Sequence, residues 1–457
     1  MDKTKITEGP LFKTLVCFAL PFIMVNLVQR LFHVADVAIL GIMATDADVA
    51  AVGACGSIIS MMVCLFSGYS SAANVLVSRR VGARDEIGSR KAAGTALVLG
   101  FLSGVILMVF VMIFARDILI ITKCQEDVLD MATLYLRIYF AGMPITMLYN
   151  FVAALLRAIG DSVKPMKYMI ISGIANVILN VAFVGFFNLA VAGVALATVL
   201  SNALALALGL NALAKNQDYC KIERKNLRLR KCEFIEMLKI GLPACIQGLS
   251  FYLGEVVVVS AVNSISTDAM TANTIASQID VLVYNIGSSI AVATGIMISQ
   301  NFGAKNLDRV SKLVKIGTAS VITATLTLGI IGSLVARPFF GIMSENSNVI
   351  ELAMGRCVLV CLTNFITCEM EIFSNALRAL KRPNWMLLVG VVCGFGIRTA
   401  WTLLVWPLYP EFFFLFICLP LSTFVGTLIF IAPYINAMKS HKKDFAASAE
   451  REEPITA

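Results

Sequence analysis

An all-α, polytopic membrane protein is predicted, with twelve transmembrane helices in two six-helix lobes related by a pseudo-twofold axis. Three observations predict it. Hydrophobic residues fill 58% of the 457 positions and charged residues only 14%, too few polar side chains to cover a surface facing water. Twelve stretches reach the roughly 20 apolar residues that a spanning helix needs. The chain also repeats itself at a spacing of 221 residues: Val81-Gly82-Ala83-Arg84-Asp85 returns as Phe302-Gly303-Ala304-Lys305-Asn306, and Leu156-Arg157-Ala158 as Leu377-Arg378-Ala379. Internal repeats of this kind, with a cavity between the halves, are typical of secondary transporters. No run of short alternating segments points to a β-barrel.

The spans follow in order. The first, 15–41, carries Pro21 near its start and Asp36 near its end; the second, 49–78, leads into the Val81 motif. The third lies at 92–115, and the fourth, 128–156, ends in the Leu156 triplet. The fifth, 166–187, holds Asn176 and Asn180, and the sixth, 190–213, holds Thr198. A basic linker, 215–236, separates the first lobe (1–214) from the second (237–437), and it reads either as a plain linker or as a short amphipathic helix on the inner leaflet. The seventh span, 238–263, carries Pro243 and Glu255, and the eighth, 271–300, carries Tyr284 and Met297. The ninth lies at 313–336, the tenth (350–378) holds Glu369 and Glu371, the eleventh (384–407) holds Arg398, and the twelfth is 412–437. The remainder, 438–457, reads as a disordered cytosolic tail.

Thirty of the 37 Lys and Arg residues fall in the loops on the side of the two termini, whereas the opposite loops hold mostly acids such as Asp46, Asp117, Glu126 and Glu345. This bias places both termini in the cytosol. It also accounts for the net charge of +8 without a nucleic-acid partner. No cleavable signal peptide is expected, because the first apolar stretch is too long and lacks a small-residue cleavage site. Most of the twelve cysteines sit inside spans, as small apolar residues do. Cys357 and Cys361 share a helix face but are too few to make a metal site, and two histidines leave little material for a zinc enzyme.

The ordered motifs resemble the multidrug and toxic compound extrusion (MATE) family of cation-coupled exporters. The resemblance rests on Gln29 to Asp36 running on to Gly41, the Val81 motif, Leu156 to Asp161 followed by Lys164-Pro165, Asn176 to Asn180, and Gly193 to Thr198. In the second half it rests on Gln300 to Ala304, the Leu377 triplet and Arg398-Thr399-Ala400-Trp401. It implies two lobes around a central cleft, through which cationic or amphipathic drugs leave in exchange for Na+ or H+.

Asp36 stands in a helix otherwise lined by apolar residues, where an acid costs about 2.5–3.5 kcal/mol and should face a polar interior. Counted from Thr45 and from Asn188 in the outer turns, Asp36, Asn180 and Thr198 all lie roughly 12–15 Å deep, with Asn176 one turn below Asn180 on the same face. A carboxylate, two amide oxygens and a hydroxyl at one depth suit a cation-coupling site; the alternative for the asparagines is plain interhelical hydrogen bonding. The resemblance implies the same cation site, with one departure: Asn180 falls where many relatives carry a second aspartate.

Glu255, at similar depth on the repeat partner of the first helix, is expected either to face a substrate cavity or to serve structure. It also resembles the seventh-helix glutamate of one branch of the family. Reflection through the loop near residue 383 puts Glu369 and Arg398 at one depth, which predicts a structural ion pair between them. Glu371 points elsewhere and joins Phe32, Tyr252, Tyr284 and Met297 as candidates for the substrate cavity, although aromatics and methionines also simply pack.

The expected function is antiport of small cationic or amphipathic substrates by a monomer in the plasma membrane, surrounded by lipid, with no cofactor beyond Na+ or H+ as coupling ion. A flippase for lipid-linked saccharides is the alternative, although it would require a large basic cavity. No His-Asp, His-Glu or Ser-Lys arrangement of catalytic spacing favours an enzyme.

Overall fold

The computed structural model describes residues 5–122, 124–215, 219–221 and 224–452, and among them there is no strand. A one-turn helix at Lys5–Glu8 precedes α1 (Leu11–Met43), α2 (Asp46–Gly82), α3 (Glu86–Ile121) and α4 (Glu126–Ala141 with Met143–Ala158). Next come α5 (Val163–Phe186), α6 (Ala190–Ala214), α7 (Lys231–Ile265), α8 (Thr267–Gly303) and α9 (Leu307–Met343). The last three are α10 (Ser347–Ala379), α11 (Asn384–Leu408) and α12 (Phe412–Ala447, helical onward to Glu452). Eleven of these are long and apolar enough to cross a membrane, and α4 makes twelve if its two pieces count as one span.

The pieces of α4 meet at 47°. Gly142 separates them and Pro144 lies in the first turn of the second piece; proline has no N–H with which to continue the ladder. A Cβ on Gly142 would lie 2.3 Å from Val199, so the bend seats α4 closely on α6.

The 221-residue repeat extends to the backbone. Arg84 (φ 58°) and Lys305 (φ 59°) are both left-handed, as are Gly160 (φ 88°) and Lys381 (φ 59°). After the first pair of turns the next helix is capped alike: the Asp85 carboxylate accepts from Gly88 N–H at 2.8 Å and the Asn306 amide oxygen from Arg309 N–H at 3.1 Å. Such caps satisfy donors that the first helical turn leaves free.

The chain divides into two compact units whose boundaries fall inside helices. Met24–Gly241 forms the first unit, and the described residues before Met24 join those after Gly241 in the second. The breaks lie beside Pro21 in α1 and Pro243 in α7, where each helix loses a backbone hydrogen bond.

In the first unit Leu40, Val111, Leu136 and Phe140 share one apolar cluster, while Leu76, Leu97, Phe151 and Ile240 share another nearer the basic end. In the second, Phe18 and Phe22 pack with Ile296, Leu313 and Ile372, and Phe340 packs with Phe412 and Phe416. Outward-facing apolar side chains are common, with Ile342 86% exposed; a bilayer, not water, matches such a surface.

At the basic end one of the two readings of the linker is retained, and the reading of the tail changes. The described part of the linker forms only a single 3₁₀ turn at Arg224–Asn226, not an amphipathic helix, before α7 begins at Lys231. Arg80 pairs with Glu233 at 3.3 Å and Arg79 with Glu236 at 3.6 Å, which fixes the start of α7 within the first unit. The tail expected to be disordered after Ala437 continues as helix to Glu452, and residues 453–457 lie outside the described residues. Its order has a cause: the rings of His441 and Phe445, one turn apart, pack on Phe302 with centroids 4.9 and 5.8 Å away, and His441 Nε2 lies 2.9 Å from the Leu380 carbonyl.

Candidate functional site

The first unit brings Asp36, Asn176, Asn180 and Thr198 into one chain of hydrogen bonds. Asn180 Nδ2 donates to Asp36 Oδ1 at 2.5 Å and to Asn176 Oδ1 at 3.2 Å. Asn176 Nδ2 reaches Thr198 Oγ1 at 3.5 Å, and that hydroxyl donates to the Val194 carbonyl at 3.0 Å. Asn176 and Asn180 lie one turn apart on α5, so they share a face. Asn180 is the last α-helical residue before a π-helical stretch, Val181–Phe186; such interruptions often accompany functional sites. One turn before Asp36, Phe32 lies against Gly173, where a Cβ would come within 1.5 Å of the ring. The missing side chain lets α1 approach α5.

Two properties of this cluster matter chemically. Among the described residues, the one hydrogen bond to the Asp36 carboxylate comes from a neutral amide. Asn180 is fully buried, yet among the described residues its Oδ1 has no hydrogen-bond partner, and an unsatisfied buried acceptor is costly. A carboxylate beside a spare amide oxygen and a hydroxyl is the donor set that hard cations favour. Tyr139, which the sequence reading passed over, lies within electrostatic reach of Asp36.

The second unit differs. The Glu369–Arg398 pair expected from depth does not form: Arg398 Nη1 binds Glu255 Oε2 at 2.8 Å, Arg398 Nε donates to Ser422 Oγ at 3.2 Å, and the guanidinium lies 5.1 Å from the centre of the Phe251 ring. Among the described residues Glu369 makes no hydrogen bond or ion pair. The cause lies in α11. Its backbone is π-helical over Gly390–Ile397 and again over Trp401–Val405, with Arg398 between. A π turn inserts a residue and rotates whatever follows, so counting by α-helical rise gives the wrong facing. The Gly394 carbonyl also sits 2.0 Å from where a Gly254 Cβ would be, and this close approach joins α11 to α7.

Glu371 and Tyr284 do meet. The Glu371 carboxylate accepts hydrogen bonds from the Tyr284 hydroxyl and, at 2.7 Å, from Ser288 Oγ one turn further along α8. Tyr252 is half-buried on α7. Met297 is fully buried in the apolar cluster around Ile296 and Ile372.

A second buried pair escaped the sequence reading. Arg356 Nη1 binds Asp280 Oδ2 at 2.9 Å, with the side chains only 4% and 8% exposed. Asn364 Nδ2 donates to the Asp280 carbonyl at 3.1 Å, and Arg356 lies 4.8 Å from the centre of the Phe416 ring. The signal was available: Asp280 is the one charged residue of the eighth span, and Arg356 stands inside the tenth.

Comparisons with known proteins agree with this architecture. The family model MatE matches residues 21–182 and again 243–402, once in each half. Probable multidrug resistance protein YoeA of Bacillus subtilis is 24% identical over 401 residues, covering 86% of this chain and 87% of its own. Probable multidrug resistance protein NorM of Thermotoga maritima is 23% identical over 370 residues, covering 80% and 79%. Among solved structures, a MATE transporter in a bent conformation superposes with a TM-score of 0.89 at 18% identity, over 98% of this chain and 99% of that one. An outward-facing multidrug resistance MATE transporter gives 0.88 at 18%, over 97% and 99%. None of these comparisons supports the flippase reading. The chain belongs to the MatE family, whose members are membrane transporters and not enzymes.

Proposed function

We propose that this protein is a secondary antiporter of the plasma membrane, with both termini cytosolic, that exports cationic or amphipathic small molecules in exchange for Na+ or H+. One observation carries the reading: Asp36 is held by a neutral amide, so its charge is free to be balanced by an incoming cation. Sodium is the favoured ion, because it would also satisfy the spare Asn180 Oδ1, which a proton on Asp36 would leave without a partner. Asp36, Asn180 and Thr198 would supply its oxygens. In the second unit the Glu371–Tyr284–Ser288 cluster offers a carboxylate and an aromatic ring to a cationic substrate.

The test is reconstitution in proteoliposomes with an imposed sodium or proton gradient and a fluorescent cationic dye. Dye movement that follows the sodium gradient is the expected result. Movement that follows only protons would reassign the ion. Transbilayer lipid transfer without dye movement would overturn the reading.

A further inference from the structure

We infer that the first unit carries a binding site for an anionic phospholipid in a groove between α3, α4 and α6, closed at its basic end by the linker. The groove has a volume of about 610 Å³ and is lined by apolar side chains, among them Leu97, Phe101, Leu148, Leu210 and Leu227; Asn211 is its one polar lining side chain. It is open along one side, where Phe101 and Leu102 are exposed. An acyl chain is the ligand that such a lining accepts without leaving a polar group unpaired.

The basic end of the groove is built, not left to a loose loop. Asn226 is buried, and its carbonyl occupies the space that the absent side chain of Gly94 leaves, 2.0 Å from where a Cβ would be. Thr95 Oγ1 lies 3.1 Å from the Arg228 carbonyl and 3.4 Å from Arg230 N. These contacts hold residues 226–230 against α3 and set Leu227 across the groove. Leu227 and Leu229 are exposed on this strap and alternate with Arg228 and Arg230, a pattern suited to a membrane interface.

Charge selects the headgroup. Arg228 and Lys215 are exposed, the first beside Leu227 and the second directly after the groove-lining Ala214. Among the described residues neither side chain makes a hydrogen bond or ion pair. Two uncommitted cations at the end of an apolar groove complement a lipid whose headgroup carries net negative charge. They would favour it over a zwitterionic lipid by about fivefold per charge.

The test uses the full-length protein in detergent with a diazirine-tailed phosphatidylglycerol, crosslinked by light and mapped by peptide mass spectrometry. Adducts are expected on α3 and α6 residues of the groove, displaced at least about fivefold more effectively by phosphatidylglycerol than by phosphatidylcholine. The double variant Lys215→Gln/Arg228→Gln should keep the adducts and lose that preference. Ala214→Trp should fill the groove and abolish the adducts; if it is not monodisperse, Val98→Trp serves the same purpose. Adducts elsewhere, equal displacement by the two lipids, or a preference that survives the double variant would each overturn the site.

Discussion

Asn180 and Arg398 play parallel parts in the two halves, three residues out of the 221-residue register: each stands where α5 or its repeat partner α11 changes between α and π geometry, and each binds the carboxylate of α1 or α7 in its own unit. In one half the partner is a neutral amide and in the other a guanidinium. A shared backbone device thus leaves Asp36 uncompensated and Glu255 neutralised.

Asp36→Asn should remove the response to an imposed ion gradient, lowering gradient-driven dye movement by about tenfold or more. Folded yield should hold or rise, since an intramembrane acid costs about 2.5–3.5 kcal/mol to insert. Proteoliposome flux and size-exclusion recovery measure the two outcomes. Unaltered ion dependence in this variant would place coupling elsewhere.

Glu255→Gln should destabilise the protein, because it strands a guanidinium that is 9% exposed. Loss of one partner in a buried pair costs about 3–5 kcal/mol, and the 42% exposure of the Glu255 side chain reduces that to about 1–2 kcal/mol. Glu369→Gln, at a side chain without a polar partner, should leave the melting temperature within error. Equal losses for the two variants would return Arg398 to Glu369.

Asp280→Asn should cost more, about 3–5 kcal/mol, because both members of its pair are buried. Replacing the pair together, as Asp280→Leu with Arg356→Met, should recover most of the loss. A double variant no more stable than the single one would show that the two charges are not coupled. Thermal unfolding followed by cysteine-reactive dye would report both.

Gly160→Val should destabilise by about 1–2 kcal/mol, since a β-branched residue fits poorly at φ 88°. The reverse change at the equivalent turn, Lys381→Gly, should be neutral or stabilising, because it relieves a lysine held at φ 59°. A melting-temperature shift of the same sign for both would count against the equivalence of the turns.

The scaffold was legible because its signals are local or periodic: apolar length, the bias of Lys and Arg, and motifs that turn out to build matched turns at Arg84 and Lys305. Asp36, Asn176, Asn180 and Thr198 come together as their counted depths suggested, although the count to Asn180 crosses the π-helical stretch Val181–Phe186. The same arithmetic misled at Arg398, since α11 is π-helical on both sides of it and rotates the side chain toward Glu255. Depth says how far into the membrane a residue lies, not which way it faces. Met297, named for its residue type with packing as the alternative, lies in the apolar core. Asp280 and Arg356 are on helices far apart in sequence, and no hairpin arithmetic links them. The tail was misread because its order comes from contacts of His441 and Phe445 with a distant residue, Phe302.

The division of α1 beside Pro21 bears on how the molecule is made. Phe18 and Phe22 emerge from the ribosome well before α8, α9 and α10, which supply the core that buries them. Their hydrophobic surface therefore stays uncovered while the intervening helices are synthesised, a state in which wrong associations form readily. Until α10 has been inserted, the opening segment of α1 has no place to dock, and the second unit stays incomplete.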